Sequence, residues 1–143
     1  MIAPLSDAVI ERIARGVLDR SLPKSEWTHA AHFGAALWLL REGLVQPVEG
    51  SMAPIIRAYN AATGTPNTDA SGYHETITLA SLRGAAAVLA QECAAPLERV
   101  LAVVLVGPLG QSRWPLLFWS EAVLMSVPAR RGWVAPDRAP LPW

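Results

Sequence analysis

Apolar residues recur at helical spacing along most of this chain. From Val9 to Val17 they return every three or four positions, which places them on one face of an amphipathic helix spanning residues 6–20. Ser6 or Asp7 can cap the start of that helix. Segment 26–43 is apolar nearly all round, which is typical of a central, buried helix.

Four further helices follow from the same spacing. The valine-rich run in segment 96–106 would also suit a buried strand, but no partner strand is visible elsewhere, so we interpret it as a helix. The sequence predicts an all-α fold: a single-domain bundle of five to six helices over residues 1–143, with an extended C-terminal tail, residues 129–143, packed on the bundle. A salt bridge between Arg130 and Asp137 would fix that tail. The predicted helices comprise residues 6–20, 26–43, 48–62, 73–93, 96–106 and 116–126.

The charge balance argues against a polyanionic partner. Twelve basic residues match twelve acidic ones in 143 residues, which disfavours nucleic acid and anionic membranes. The single cysteine, Cys93, cannot form an intramolecular disulfide. No apolar run is long enough to span a bilayer and no secretory pattern opens the chain, so we expect a cytoplasmic protein. The apolar helix surface would also allow a homodimer.

The candidate chemistry lies in three histidines. In "EWTHAAHF", His29 and His32 lie three positions apart and share one helical face, while Glu26 suits the positive end of the helix dipole. His74, in "GYHETIT", follows a stretch of turn-forming residues at 63–72. We expect the starts of the two helices and this loop to form a common cleft.

Two histidines at helical spacing and a third from another element commonly bind a metal ion and leave positions open for substrate. The leading hypothesis is therefore a small-molecule enzyme with a divalent metal, with zinc, iron, manganese and copper not distinguished, performing lyase, isomerase or hydrolase chemistry. In this hypothesis the metal ligands are His29, His32 and His74, the catalytic acid/base is Glu75, and Tyr73, Tyr59 and Thr28 orient the substrate.

Two alternatives stay open at this point. A metal-free enzyme, for example a cyclase, would use the histidines and Glu75 as an acid/base pair. A non-catalytic module would use the same polar cluster to bind a metabolite or another protein. Buried polar groups also form purely structural hydrogen-bond networks.

Several segments together resemble a family of small, functionally uncharacterised bacterial proteins. The resemblance rests on "WTHAAH", "IRAYNAATGTPNTDASGYHETIT" and "SVPARRGWVAPDRAPLP", and it spans nearly the whole chain. It implies that His29, His32, His74, Glu75 and Thr76 are important. It implies no particular reaction.

Overall fold

The computed structural model describes residues 5–143. Residues 1–4, which belong to the predicted domain and to the segment without a secretory pattern, lie outside the described residues. Over the described part the chain is all-α: it contains helices and short 3₁₀ turns and no strand. The helices are α1 (Asp7–Leu18), α2 (His29–Arg41), α3 (Ala53–Ala62), α4 (Glu75–Gln91), α5 (Leu97–Val106), α6 (Glu121–Leu124) and α7 (Val127–Arg131).

Helix α1 shows the predicted amphipathic pattern. The Ser6 side chain accepts a hydrogen bond from the backbone N–H of Val9 and thereby caps the helix. Ile10, Ile13 and Val17 are buried on the face that meets the rest of the bundle. The apolar spacing and the cap therefore specify the helix and its orientation.

Helix α2 is the centre of the bundle. It packs against α1, α4 and α5, and every residue from Phe33 to Leu39 is buried. Gly43 adopts a positive φ of 72° just after the helix, as expected for the predicted stop. Because α2 is surrounded, any polar residue at its start must find a partner in a neighbouring element or line a cavity.

The observed boundaries differ from the prediction at the start of α2 and in the sixth helix. Glu26 ends a short 3₁₀ turn and forms an ion pair with Arg12, so the cap of α2 is Thr28, whose side chain accepts from Ala31 N. Segment 116–126 is not one helix, because the Ser120 side chain starts a new, short helix within it. Segment 96–106, in contrast, is helical, as predicted.

The chain after α7 lies along the bundle, and it starts later than the predicted extended tail, because residues 129–131 belong to α7. The hydroxyl of Thr76 in α4 donates to Gly132 O at 2.8 Å and accepts from Val134 N at 3.1 Å. The expected Arg130–Asp137 salt bridge is absent among the described residues, since Asp137 accepts from a backbone N–H and Arg130 donates to the carbonyls of the loop before α4. The tail is therefore fixed by hydrogen bonds between side chains and the backbone and not by that charge pair.

The last residue of the tail reaches α4. Trp143 donates its indole N–H to Ala80 O at 2.9 Å, and its ring packs against Trp114 with centroids 5.7 Å apart. Gly84 permits this approach, because a Cβ there would lie 2.9 Å from the Trp143 ring and 2.7 Å from Leu109. Within residues 5–143 no helix has the length and apolarity that crossing a membrane requires.

Candidate functional site

A cavity of about 510 Å³ opens between α2, α3 and α4. All three histidines contribute to its wall, so we call it the histidine cavity. The sequence expectation of a cleft near the starts of α2 and α4 therefore agrees with the structure. Its apolar wall includes Trp27, Phe33, Met52, Ile56, Leu82 and Trp114, and its other polar residues are Lys24, Asn60, Thr65, Tyr73, Thr78, Ser81 and Ser112.

Helical periodicity explains which residues of α2 and α4 reach the cavity. On α2 they are His29, His32, Phe33 and Ala36, which form a single stripe at spacings of three and four. On α4 the same spacing starts at His74 and continues through Ile77, Thr78, Ser81 and Leu82. Each stripe combines polar residues with apolar ones, so the cavity suits a molecule that is itself partly apolar.

Of the three histidines, His32 is the least engaged by hydrogen bonds to the described protein. Its ring packs on Trp27 with centroids 4.0 Å apart, and neither ring nitrogen has a hydrogen-bond partner among the described residues. The residue is accessible through the cavity, yet protein atoms crowd the ring. This desolvation, together with the nearby His29, lowers the pKa of His32 to about 4. At neutral pH the ring is therefore uncharged and keeps a free lone pair.

His29 bridges α2 to a later turn of the chain. Its Nε2 lies 2.7 Å from Leu109 O, and since a carbonyl can only accept, this nitrogen carries the proton. The ring also meets Phe33 edge to face at 5.3 Å. The other nitrogen of this ring, Nδ1, has no hydrogen-bond partner among the described residues.

His74 has both ring nitrogens engaged. Nδ1 accepts from Ile77 N at 3.2 Å, so His74 is the N-cap of α4, and Nε2 donates to Leu124 O at 2.7 Å. Burial lowers the pKa of His74, which keeps the ring neutral and both bonds intact at neutral pH. This histidine joins the start of α4 to the end of α6 and has no lone pair left for a ligand.

The arrangement does not fit the predicted three-histidine metal site. Within residues 5–143 no group of three or more His, Cys, Asp or Glu side chains is placed to hold a metal ion. In addition, the lone pair of His74 is taken by Ile77 N, so this ring could not bind a metal ion while it caps α4. Metal binding stays a prediction, and no step below depends on it.

Glu75, predicted as the acid/base, is not among the residues that line the cavity. Only 5% of the residue is exposed, and its two oxygens accept from the Tyr73 hydroxyl at 2.7 Å and from Gly50 N at 3.0 Å. Tyr73 does line the cavity, but burial and the bond to Glu75 raise its phenol pKa far above the usual value. These two side chains connect α4 to the loop before α3.

Tyr59 and Thr28, predicted to orient substrate, also lie outside the wall of the histidine cavity. Tyr59 is fully buried and donates to Leu22 O at 2.8 Å. Thr28 caps α2 and borders a second, mainly apolar cavity of about 640 Å³ between α1, α2 and α5, which His29 also lines. Both residues hold the framework of the site together.

Five polar residues of the cavity were missed in the sequence, namely Lys24, Thr65, Thr78, Ser81 and Ser112. Thr78 and Ser81 continue the α4 stripe from His74 at helical spacing, and this signal was available in the sequence. Lys24 was not predictable in this way, because it lies on a 3₁₀ turn whose direction depends on the break before α2.

Comparisons with protein-family models, with curated proteins and with solved structures found no match to this chain. The family resemblance noted from the sequence motifs therefore stays a prediction.

Proposed function

We propose that the histidine cavity binds a small organic molecule that has an apolar, ring-sized body and a hydrogen-bond donor. The observation that carries the proposal is the position of the His32 ring, which lies on the wall of a partly apolar cavity and has no hydrogen-bond partner among the described residues. A ligand hydroxyl or N–H would supply the partner that His32 lacks within the described protein. The aromatic rings of Trp27 and Trp114 would contact the apolar body.

Acid/base catalysis is the second candidate, since a neutral imidazole beside a small-molecule cavity is also a typical general base. In this function His32 would replace Glu75 as the base, because Glu75 is bonded to Tyr73 and Gly50. A base with a pKa of about 4 binds a proton weakly at neutral pH, however, so binding has the stronger support. The metal-dependent form of the enzyme proposal has the least support, because His74 is engaged.

Probe binding tests the proposal directly. p-Cresol and toluene have similar shapes, but only p-cresol donates a hydrogen bond, so we expect it to bind about fivefold more tightly, the equivalent of one net hydrogen bond of about 1 kcal/mol. Binding can be followed by NMR of the backbone amides, and long-range ¹⁵N spectra of the imidazoles report on His32 directly. His32→Phe keeps a ring and removes the lone pair, so it should abolish the preference while toluene binding persists.

Ser25→Ala is a control outside the histidine cavity, because Ser25 borders the second cavity. The proposal fails if neither probe perturbs the cavity residues, or if His32→Phe still prefers p-cresol. A large rise of the His32 pKa toward neutrality on p-cresol binding would favour acid/base catalysis over simple binding.

A further inference from the structure

The wall of the histidine cavity carries positive charge and no negative charge. Among the lining residues Lys24 is the only lysine or arginine, the rings of His32 and His74 are held neutral, and no carboxylate reaches the wall. Lys24 is also the only lysine in the sequence. It is exposed, so it stands where the cavity meets solvent.

The acidic residue nearest to Lys24 in sequence is occupied elsewhere. Glu26, two positions later, accepts a hydrogen bond from the Arg12 guanidinium at 2.7 Å. Lys24 itself forms no ion pair among the described residues. The Arg12–Glu26 pair therefore leaves the ammonium group of Lys24 available to a ligand.

We infer that the histidine cavity selects amphipathic carboxylic acids, whose carboxylate meets Lys24 at the mouth while the apolar body and a hydrogen-bond donor extend inward to Trp27 and His32. This inference rests on the proposed function and adds the charge of the ligand to it. A cation would meet Lys24 repulsively and would find no carboxylate on the wall. The site is thus expected to discriminate by charge as well as by hydrogen bonding.

The expected preference is modest because Lys24 is exposed. Ion pairs in contact with solvent change affinity by up to about fivefold, and salt weakens them. A carboxylate should therefore bind about three- to fivefold more tightly than the matching amide at low ionic strength. The difference should shrink as salt is added, whereas the contribution from His32 should not.

The single lysine permits a clean measurement. Reductive ¹³C-methylation keeps the positive charge and gives one ε-dimethyl NMR signal, at Lys24, apart from that of the α-amine. We would titrate 4-hydroxyphenylacetate and the neutral 4-hydroxyphenylacetamide, which differ mainly in charge, and compare dissociation constants measured on the unmodified protein. Lys24→Gln removes the charge. Arg99→Gln, on the exposed surface of α5, is the control with the same charge change, because Arg99 lines neither cavity.

The inference predicts that the carboxylate is preferred by the unsubstituted protein and by Arg99→Gln, shifts the Lys24 signal, and loses its advantage in Lys24→Gln while the amide binds unchanged. Equal binding of the two probes, or a preference that survives Lys24→Gln, would overturn the inference about charge. Binding of the amide would then still support the proposed function. If neither probe binds, the proposed function is overturned as well.

Discussion

The side chain of Glu75 does not line the histidine cavity, and this placement gives it a structural role instead of a catalytic one. It is buried and accepts two hydrogen bonds, from the Tyr73 hydroxyl and from Gly50 N, which join the start of α4 to the loop before α3. A catalytic acid/base needs contact with the reacting molecule, and both oxygens of Glu75 are already used. Its role is therefore to stabilise the wall that carries His74.

Glu75→Gln tests this role. An amide keeps one accepting oxygen but turns an N–H₂ group toward a donor, so one buried donor loses its partner. We expect the free energy of unfolding to fall by about 1–3 kcal/mol, while the affinity for p-cresol at permissive temperature changes little. Urea denaturation and NMR titration measure the two quantities. A stable Glu75→Gln variant that no longer binds p-cresol would instead place Glu75 in the site.

The limits of sequence prediction are clearest at these same residues. The spacing of His29 and His32 correctly placed both rings on one face, because helical geometry alone fixes that relation. The sequence placed His74 in the first turn of α4, whereas the structure makes it the cap one position outside the helix. The predicted helix began at residue 73 and α4 begins at Glu75, so the boundary lies two residues later, and His74 directs Nδ1 to the helix N-terminus instead of presenting its ring from the first turn.

Among the structural elements, α4 depends on a histidine for its start. His74 supplies the cap through Nδ1 and holds the carbonyl at the end of α6 through Nε2. We expect His74→Ala to reduce the free energy of unfolding by about 2 kcal/mol, from one lost cap and one lost buried hydrogen bond.

His74→Asn is the informative partner variant, because asparagine caps helices well but is too short to reach Leu124 O. It should recover about 1 kcal/mol relative to His74→Ala in denaturant unfolding. Equal stability of the two variants would show that the cap contributes nothing, contrary to the hydrogen bond between Ile77 N and Nδ1.

The long helices were predictable, and the short ones near the C-terminus were misjudged for an identifiable reason. Segments 6–20 and 96–106 carry apolar periodicity over several turns. This pattern identifies each segment as a helix even where the sequence does not define its first and last residues. The sixth predicted helix failed because Ser120 and Ser126 each accept from a backbone N–H three residues later and start separate helices. Such caps compete with a continuous helix wherever tertiary contacts favour a bend.

For the whole molecule, the neutral histidines make stability depend on pH. The pKa of His32 is lowered to about 4 and that of His74 is also lowered, whereas both titrate near 6.5 in an unfolded chain. Below pH 6.5 the unfolded state therefore binds protons that the folded state does not. The contribution of the two neutral histidines to the free energy of unfolding is complete above about pH 6.5. It is lost as the pH falls toward their folded-state pKa values.

We predict that the free energy of unfolding decreases between about pH 6.5 and pH 5, before most carboxylates titrate. Urea denaturation across this interval measures the slope, and His32→Gln should reduce it. A slope that is flat, or that is identical in His32→Gln, would contradict the neutral state assigned to His32. NMR titration of the three imidazoles offers an independent check.

The hydroxyl of Thr76 has a consequence for how the molecule opens. Because it bonds to both Gly132 and Val134, the tail cannot detach without exposing a fully buried side chain at the start of α4. Local unfolding should therefore involve the tail and the first turn of α4 as one cooperative unit. Amide hydrogen exchange would show this as equal opening free energies for Val134 and Thr78, whose N–H groups bond to Thr76 Oγ1 and His74 O. In Thr76→Val, the amide of Val134 should exchange faster, and the opening free energies of Val134 and Thr78 should no longer be equal.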